Sequence, residues 1–339
     1  MANSYSKSRI RRIVRRFGLV PLSSDSVASF YRKNAVIRVQ TKSEAYAVKP
    51  FYRSLLLRSS TMDQMKTNAS YIQLLMDNGF SYMPKWLVCN SGKLWTLHQG
   101  RPFYVTPWIR GRKLENQEDY EKLGQALASL HITSSHFLSK KAPFYDHIEL
   151  WKSHDRLFRR QLTQAYQTDL RTRRWYKKFG KSCNRFSDRS WAELKRPEIV
   201  NLLRKERIRP VLIHNDITSY NVIISDDGQL FIIDWDRIKV GSMYVDIAAA
   251  LMNTTQFNPV FINSLLKGYE KLHPLNQTER KWIASLYRLP REAWHATRSP
   301  NRPRSRNERN ILEIMEQTWL LRLKTMDFLE EWTDHWGKE

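Results

Sequence analysis

One stretch constrains this chain more than any other: Leu212-Ile213-His214-Asn215-Asp216-Ile217-Thr218-Ser219-Tyr220-Asn221, then an apolar hairpin closing on Ile233-Asp234-Trp235-Asp236. Val222 to Ser225 and Leu230 to Ile233 read as two short strands around Asp226-Asp227-Gly228-Gln229. Asp-Gly favours a two-residue type I′ turn. Counting outward from a turn at Asp227-Gly228 sets Asn221 opposite Asp234, and such partners have Cα atoms about 4.5–5.5 Å apart. An amide oxygen beside a carboxylate suits a hard cation such as magnesium. Asp216, two residues after His214 and five before Asn221, adds a carboxylate. Together these groups match what phosphoryl transfer from a nucleotide requires. The plainer reading is an Asn and an Asp that merely end two strands.

The chain has 339 residues, a length that suits two lobes and a sizeable core. With 41% hydrophobic residues it should fold. Its two cysteines, Cys89 and Cys183, support neither a disulfide framework nor a thiolate metal site. No apolar run approaches a membrane span. The basic start is followed by an apolar segment, Phe17 to Leu22, too short for a secretory signal. Cytoplasmic synthesis without a signal peptide is therefore expected.

Charge is the unusual property: 57 Lys and Arg against 33 Asp and Glu give a net +24. The excess concentrates in Lys7 to Arg16, in Arg171 to Lys181, and in the arginine-rich loop from Arg298 to Arg306. A basic face attracts polyanions, or it is simply a solvated surface that keeps a protein soluble; charge alone names no partner. No nucleic-acid module is visible.

The N-terminal third reads as strands with one main helix. Asn34 to Thr41, Ala45 to Val48, Leu94 to His98 and Phe103 to Ile109 are strand candidates. Met62, Met65, Ala69, Ile72 and Leu75 recur at helical spacing, with Ser59 to Thr61 as N-cap candidates and Gly79 as the stop. From Gly111 the chain is mainly helical. Leu123, Leu127 and Leu130 form one apolar face, a basic Trp-bearing region runs from about Ile148 to Lys205, and a helix from Val245 to Met252 opens at Asp246.

These residues resemble the aminoglycoside phosphotransferase-like branch of the protein-kinase-like fold, and within it the spore coat protein CotS family. The resemblance runs from about Leu22 to Trp332. It is carried by Tyr46-Ala47-Val48-Lys49-Pro50, Tyr104 to Arg112, Leu123 to His131, His214 to Asp246 and Leu289 to Trp294. It implies an α+β, bilobal protein-kinase-like fold: a small antiparallel-sheet N-lobe with one main helix, then a larger, mostly helical C-lobe. The expected divisions are a basic arm over 1–21, an N-lobe over 22–110, and a C-lobe over 111–339 that holds the catalytic loop and hairpin.

The resemblance also assigns roles. Asp216 would be the catalytic carboxylate, Asn221 and Asp234 magnesium ligands, and Lys49 the cation on the phosphates of ATP. Pro107, through its carbonyl, and Ile109, through both amide groups, would meet the adenine. Trp108 would wall that pocket or pack between lobes. His214 would brace the catalytic loop. Asp246 would tie its helix to that loop or simply cap the helix. Asp236 is left between a second metal contact and a solvated residue.

The implied function is a spore-coat-associated, ATP- and Mg2+-dependent phosphotransferase acting on a hydroxyl of an unidentified small molecule or surface polymer. The alternative is a weak or inactive kinase-fold structural protein of the spore coat. Such a protein would assemble through basic and Trp-rich surfaces with other coat proteins or an anionic polymer.

Three departures bear on that choice. Leu22 to Ala47 contains no glycine to wrap a triphosphate. No Glu occurs between Glu44 and Glu115 to pair with Lys49, and Asp63 and Gln64 are the nearest helix candidates. Thr218 sits where many kinases carry a cation.

Overall fold

A computed structural model of the chain describes residues 5–27, 36–51, 61–139, 142–163, 170–297 and 306–334. The first helix, α1 (Lys7–Arg15), lies in the stretch expected as an arm. Ser6 starts it, its side chain accepting from the Arg9 amide. Ile10, Ile13 and Val14 share one helical face. They are buried in a core with Ile37, Val39, Val48, Phe103 and Val105. Burying that face, not the charge of the other, holds the segment in place.

The sheet under α1 is antiparallel, in the order β1 (Ser23–Val27), β2 (Val36–Gln40), β3 (Ala45–Pro50), β5 (Arg101–Pro107), β4 (Thr96–His98). The strand expected over Phe103 to Ile109 lies two residues earlier, because β5 pairs with both β3 and β4. One further bond, from the Trp108 amide to the Ala45 carbonyl, prolongs it. Helix α2 (Thr61–Asp77) ends as expected at Gly79, whose φ is 75°. The Gly79 and Phe80 amides reach back to the carbonyls of Met76 and Leu75, a Schellman closure. Its N-cap candidates Ser59 and Ser60, and the loop from Arg298 to Ser305, lie outside the described residues.

The hairpin corrects the sequence count. Val222 pairs with Ile232 and Ile224 with Leu230, so β8 (Val222–Ser225) and β9 (Leu230–Ile232) are one register away from the expected pairing. Ser225 closes a three-residue loop, Asp226-Asp227-Gly228, with Gly228 at φ 82°. Two causes select it. The Ser225 hydroxyl accepts from the Gln229 amide and bonds the Gln229 carbonyl and Asp227. The register also places buried Val222 and Ile224 opposite buried Ile232 and Leu230, which a one-residue slip would prevent.

Two compact units result: residues up to 115 with 220–238, and residues 116–219 with 239–339. The hairpin, expected with the C-terminal part, packs with the N-terminal unit. There β8 pairs with β6 (Gly111–Arg112), and the Ile232 amide bonds the Tyr82 carbonyl.

The second unit is helical. It comprises α3 (Gln117–Phe137), α4 (His147–Thr163), α5 (Leu170–Glu193), α6 (Pro197–Ile208), α7 (Met243–Thr254), α8 (Pro259–Leu272), α9 (Gln277–Arg288), α10 (Arg291–Thr297), α11 (Arg306–Gln317) and α12 (Trp319–Asp334). One small antiparallel pair joins β7 (Val211–Ile213) to β10 (Lys239–Gly241). Leu123, Leu127 and Leu130 are all fully buried. Helices α3 and α8 touch backbone to backbone: a Cβ on Gly124 would lie 2.0 Å from the Leu265 carbonyl oxygen, and one on Gly268 2.0 Å from that of Glu121. The fold is α+β, with an antiparallel-sheet N-terminal part and a helical C-terminal part. Among the described residues no helix is long and apolar enough to cross a membrane.

Candidate active site

In the N-terminal unit the chemistry gathers around Lys49. The alternation of β3 turns Val48 into the core behind the sheet, and the next side chain to the other face. Lys49 is 8% exposed, and its ammonium bonds Asp234 and lies 3.3 Å from Asp236. Burial alone would lower the lysine's proton affinity; the carboxylates of Asp236 and Asp234 outweigh it and hold the group above the usual lysine value.

Asp234 has left-handed backbone, φ 68° and ψ 54°, just before the 3-10 turn Trp235–Arg237. For a residue with a Cβ that conformation costs roughly 1–2 kcal/mol, and Asn and Asp tolerate it best. The reversal brings both Asp234 and Asp236 to Lys49, with Trp235 between them 1% exposed.

Three residues that the sequence reading did not single out complete this set. The Asn68 side-chain amide, on α2, donates to the Asp236 carbonyl at 2.7 Å. The Tyr104 hydroxyl, on β5, bonds the Asp236 carboxylate. Burial, together with Asp236 and Asp234, drives the Tyr104 phenol well above its usual value, so it is a neutral donor. Trp86 stacks on the Tyr104 ring at 3.9 Å with an interplanar angle of 2°. The second carboxylate oxygen of Asp236 is buried with no hydrogen-bond partner.

Asp63 does not serve Lys49. It is exposed and lies 3.9 Å from Lys66. Asn221 is half-buried; its carbonyl accepts the Ile233 amide at 2.9 Å, which continues the observed register. It therefore faces Ile233, not Asp234, across the ladder. Pro107 pairs with Tyr46 at the end of β5. Ile109 is half-buried, and its backbone groups make no hydrogen bond among the described residues. Trp108 lies under the Arg38 guanidinium, 5.3 Å from the ring centre.

The C-terminal unit holds the loop that follows β7. Asp246 does not cap α7; Ser242 does, its hydroxyl accepting from the Val245 amide. The Asp246 carboxylate, 1% exposed, instead accepts the His214 amide at 3.0 Å and the Asn215 amide at 2.9 Å. His131 Nε2 lies 3.6 Å away, and His131 Nδ1 bonds the Tyr269 hydroxyl at 2.9 Å. Burial would raise Asp246; His131, His214 and the Asn215 amide overcome it and hold the carboxyl below its usual value.

Asn215 is held in left-handed backbone, φ 63°, with its side chain bonded to His147 Nε2 at 2.8 Å. Beyond it the Asn253 side chain bonds the Ile217 carbonyl at 3.1 Å. Asp216, half-buried, is thus carried on a loop pinned on both sides.

The donor set of the N-terminal unit fits a magnesium ion. Asp234 has a third of its side chain exposed, and Asp236 offers an unpartnered buried oxygen. Magnesium is held by one or two carboxylates and keeps several waters, so two carboxylates and no larger protein cage are in keeping with it.

The sequence model of the phosphotransferase enzyme family matches residues 32–283, so the chain belongs to that family. The aminoglycoside phosphotransferase of Alicyclobacillus acidocaldarius superposes with a TM-score of 0.79 at 13% identity, covering 99% of this chain and 98% of that one. A spectinomycin phosphotransferase solved with ADP and spectinomycin gives 0.70 at 16%, covering 96% and 99%. A microcompartment-associated aminopropanol kinase gives 0.60 at 15%, covering 97% and 98%. At these identities the likeness is one of fold. No curated protein matches the sequence.

Proposed function

We propose that the chain is an ATP- and magnesium-dependent phosphotransferase that moves the γ-phosphoryl group to a hydroxyl of a small molecule or surface polymer. The observation that carries this reading is the Lys49 cluster in a member of the phosphotransferase enzyme family: a buried ammonium against two carboxylates at the end of the hairpin. Lys49 neutralises phosphate oxygens, and Ile109 and Pro107 meet the adenine through backbone groups. Asp234 and Asn221 would hold the metal, with Asp236 fixing Lys49. Magnesium, when bound, supplies charge neutralisation on the phosphates. Asp216 accepts the acceptor's hydroxyl proton as its oxygen bonds to phosphorus and the bond to the ADP oxygen breaks. His214 and Asp246 set the loop. The related structures named for aminoglycosides, spectinomycin and aminopropanol support a small hydroxyl-bearing acceptor.

The resemblance to the CotS family supports a finer reading, in which the protein assembles onto the spore coat. A catalytically weak coat protein is the second reading. It is favoured by the glycine-free stretch from Leu22 to Ala47 and by the engagement of Lys49 with both carboxylates. Calorimetry with ATP and magnesium, wild type against Asp234→Ala, combined with phosphate release by wild type and Asp216→Asn, separates them. Binding lost in the first variant and turnover lost in the second support the enzyme. A wild type that neither binds nor releases phosphate above the Asp216→Asn background leaves the structural reading.

A further inference from the structure

A second cluster lies on the N-terminal unit, among residues that the phosphotransfer reading does not use. Arg9, Arg12 and Arg16 fall at i, i+3 and i+7, so they share one face of α1 and its C-cap. That face borders β4, where the Arg16 guanidinium bonds the Thr96 hydroxyl at 3.1 Å and the Leu97 carbonyl. Beside them Arg101 donates to the Tyr5 hydroxyl at 2.8 Å, and the Arg9 guanidinium lies over the Tyr5 ring at 4.8 Å. Among the described residues none of Arg9, Arg12, Arg16 or Arg101 has a carboxylate within ion-pair distance, whereas Arg159, Lys178, Arg189, Arg280 and Arg322 each do.

Under this row sits His98, on β4. It is 7% exposed, and its Nε2 is buried with no hydrogen-bond partner, as is Arg9 Nε. Its side chain leaves β4 on the same face as that of Thr96, which Arg16 bonds, and burial together with the positive charges of Arg9, Arg12 and Arg16 pushes the imidazole below its ordinary value. A buried ring nitrogen without a partner, beside arginines that have no carboxylate to balance them, is a costly arrangement without a counter-ion.

We propose that α1 and the edge strand β4 form a second anion site, which takes the terminal phosphate group of a small phosphorylated ligand. The Arg9 and Arg12 guanidinia supply planar, charge-assisted donors suited to phosphate oxygens. His98 Nε2, recessed below them, donates to an oxygen that enters between the arginines. A terminal group with three open oxygens can reach it; a phosphodiester, substituted on both sides, is blocked. Tyr5, fixed by Arg101, holds Arg9 over the site.

The test uses inorganic pyrophosphate as probe, by calorimetry at low salt, with a chelator present so that no metal assists binding around Lys49. Saturable one-to-one binding is expected. Arg12→Gln, an exposed position whose change leaves the core intact, should weaken it at least tenfold, and so should His98→Leu. In the imidazole NMR spectrum, the resonance that His98→Leu removes should titrate at higher pH once pyrophosphate is bound, because the anion reverses the local field.

The control is Arg174→Gln/Lys181→Gln on α5, which removes two exposed charges elsewhere and should leave affinity unchanged. Equal weakening by the control would reduce the effect to net charge and overturn the proposal. So would the absence of saturable binding, an unmoved His98 titration, or dimethyl phosphate binding as well as pyrophosphate.

Discussion

Replacing Asp246 by Asn removes one charge from the interior and almost no volume, so its effect isolates what the carboxylate does. Its two oxygens accept the amides of His214 and Asn215 at 3.0 and 2.9 Å, with the His131 ring 3.6 Å away. Hydrogen bonds to a charged acceptor contribute about 1.5–3 kcal/mol each. Asparagine keeps one accepting oxygen, but turns an NH2 toward the other amide and leaves that buried N–H without an acceptor, a cost of about 1–3 kcal/mol. The net loss is about 3 kcal/mol. At a urea slope of about 3 kcal/mol/M for a chain of this size, the midpoint falls by about 1 M.

The sign with pH follows from the direction of the shift. The folded carboxyl titrates below its unfolded value of about 3.9, so its contribution is complete above that pH and is lost as pH falls through the folded value. The gap between wild type and Asp246→Asn should therefore be full at pH 7 and should close in acid. Equal midpoints at pH 7, or a gap unchanged at pH 3, would refute the reasoning.

Lys49→Met strands two carboxylates, one of them buried, and should destabilise the N-terminal unit by about 3–5 kcal/mol in scanning calorimetry; a simultaneous Asp236→Leu should recover much of it. Asp216→Asn should lower phosphotransfer by about 10²–10⁴-fold with little change in melting temperature, since the loop is pinned by its neighbours. Gly124→Ala drives a methyl to 2.0 Å from the Leu265 carbonyl oxygen and should cost at least about 1–3 kcal/mol as α3 and α8 separate, measured by urea unfolding. Burial pushes Glu206 up to about 8, above its unfolded value, so it opposes folding increasingly as pH rises from about 4.3 to that value; Glu206→Gln should raise the melting temperature at pH 8 and leave it unchanged at pH 4.

The parts of this fold that were legible in the sequence depend on local signals. Helix α2 could be read from apolar residues every three or four positions and from Gly79, because both its buried face and its stop are local. The face of Leu123, Leu127 and Leu130 was legible for the same reason. The hairpin was found but its register was missed by one residue. Asp-Gly at the tip argued for a two-residue turn, and the hydroxyl of Ser225 tipped the balance to three. The alternation of Val222, Ile224, Leu230 and Ile232 carried the right answer, since the one-residue slip would put the two pairs on opposite faces. In the first helix, basic residues drew attention away from Ile10, Ile13 and Val14, whose spacing marked a buried face.

The surroundings of Lys49 were not legible, and the reason is physical. The lysine lacks a helix glutamate in sequence, which reads as a missing partner. In the folded chain the partners come from the hairpin, 185 and 187 residues away, and they reach the lysine because Asp234 adopts left-handed backbone that no local pattern announces. Helix α2 still contributes, but through Asn68, which holds the Asp236 carbonyl and not the lysine. The absent glutamate and the unassigned Asp236 are therefore one observation. A carboxylate is needed beside a buried ammonium, and once the hairpin supplies two, a helix carboxylate would add a third negative charge beside Lys49. On that argument, a glutamate introduced on α2 facing Lys49 should weaken nucleotide binding instead of restoring it.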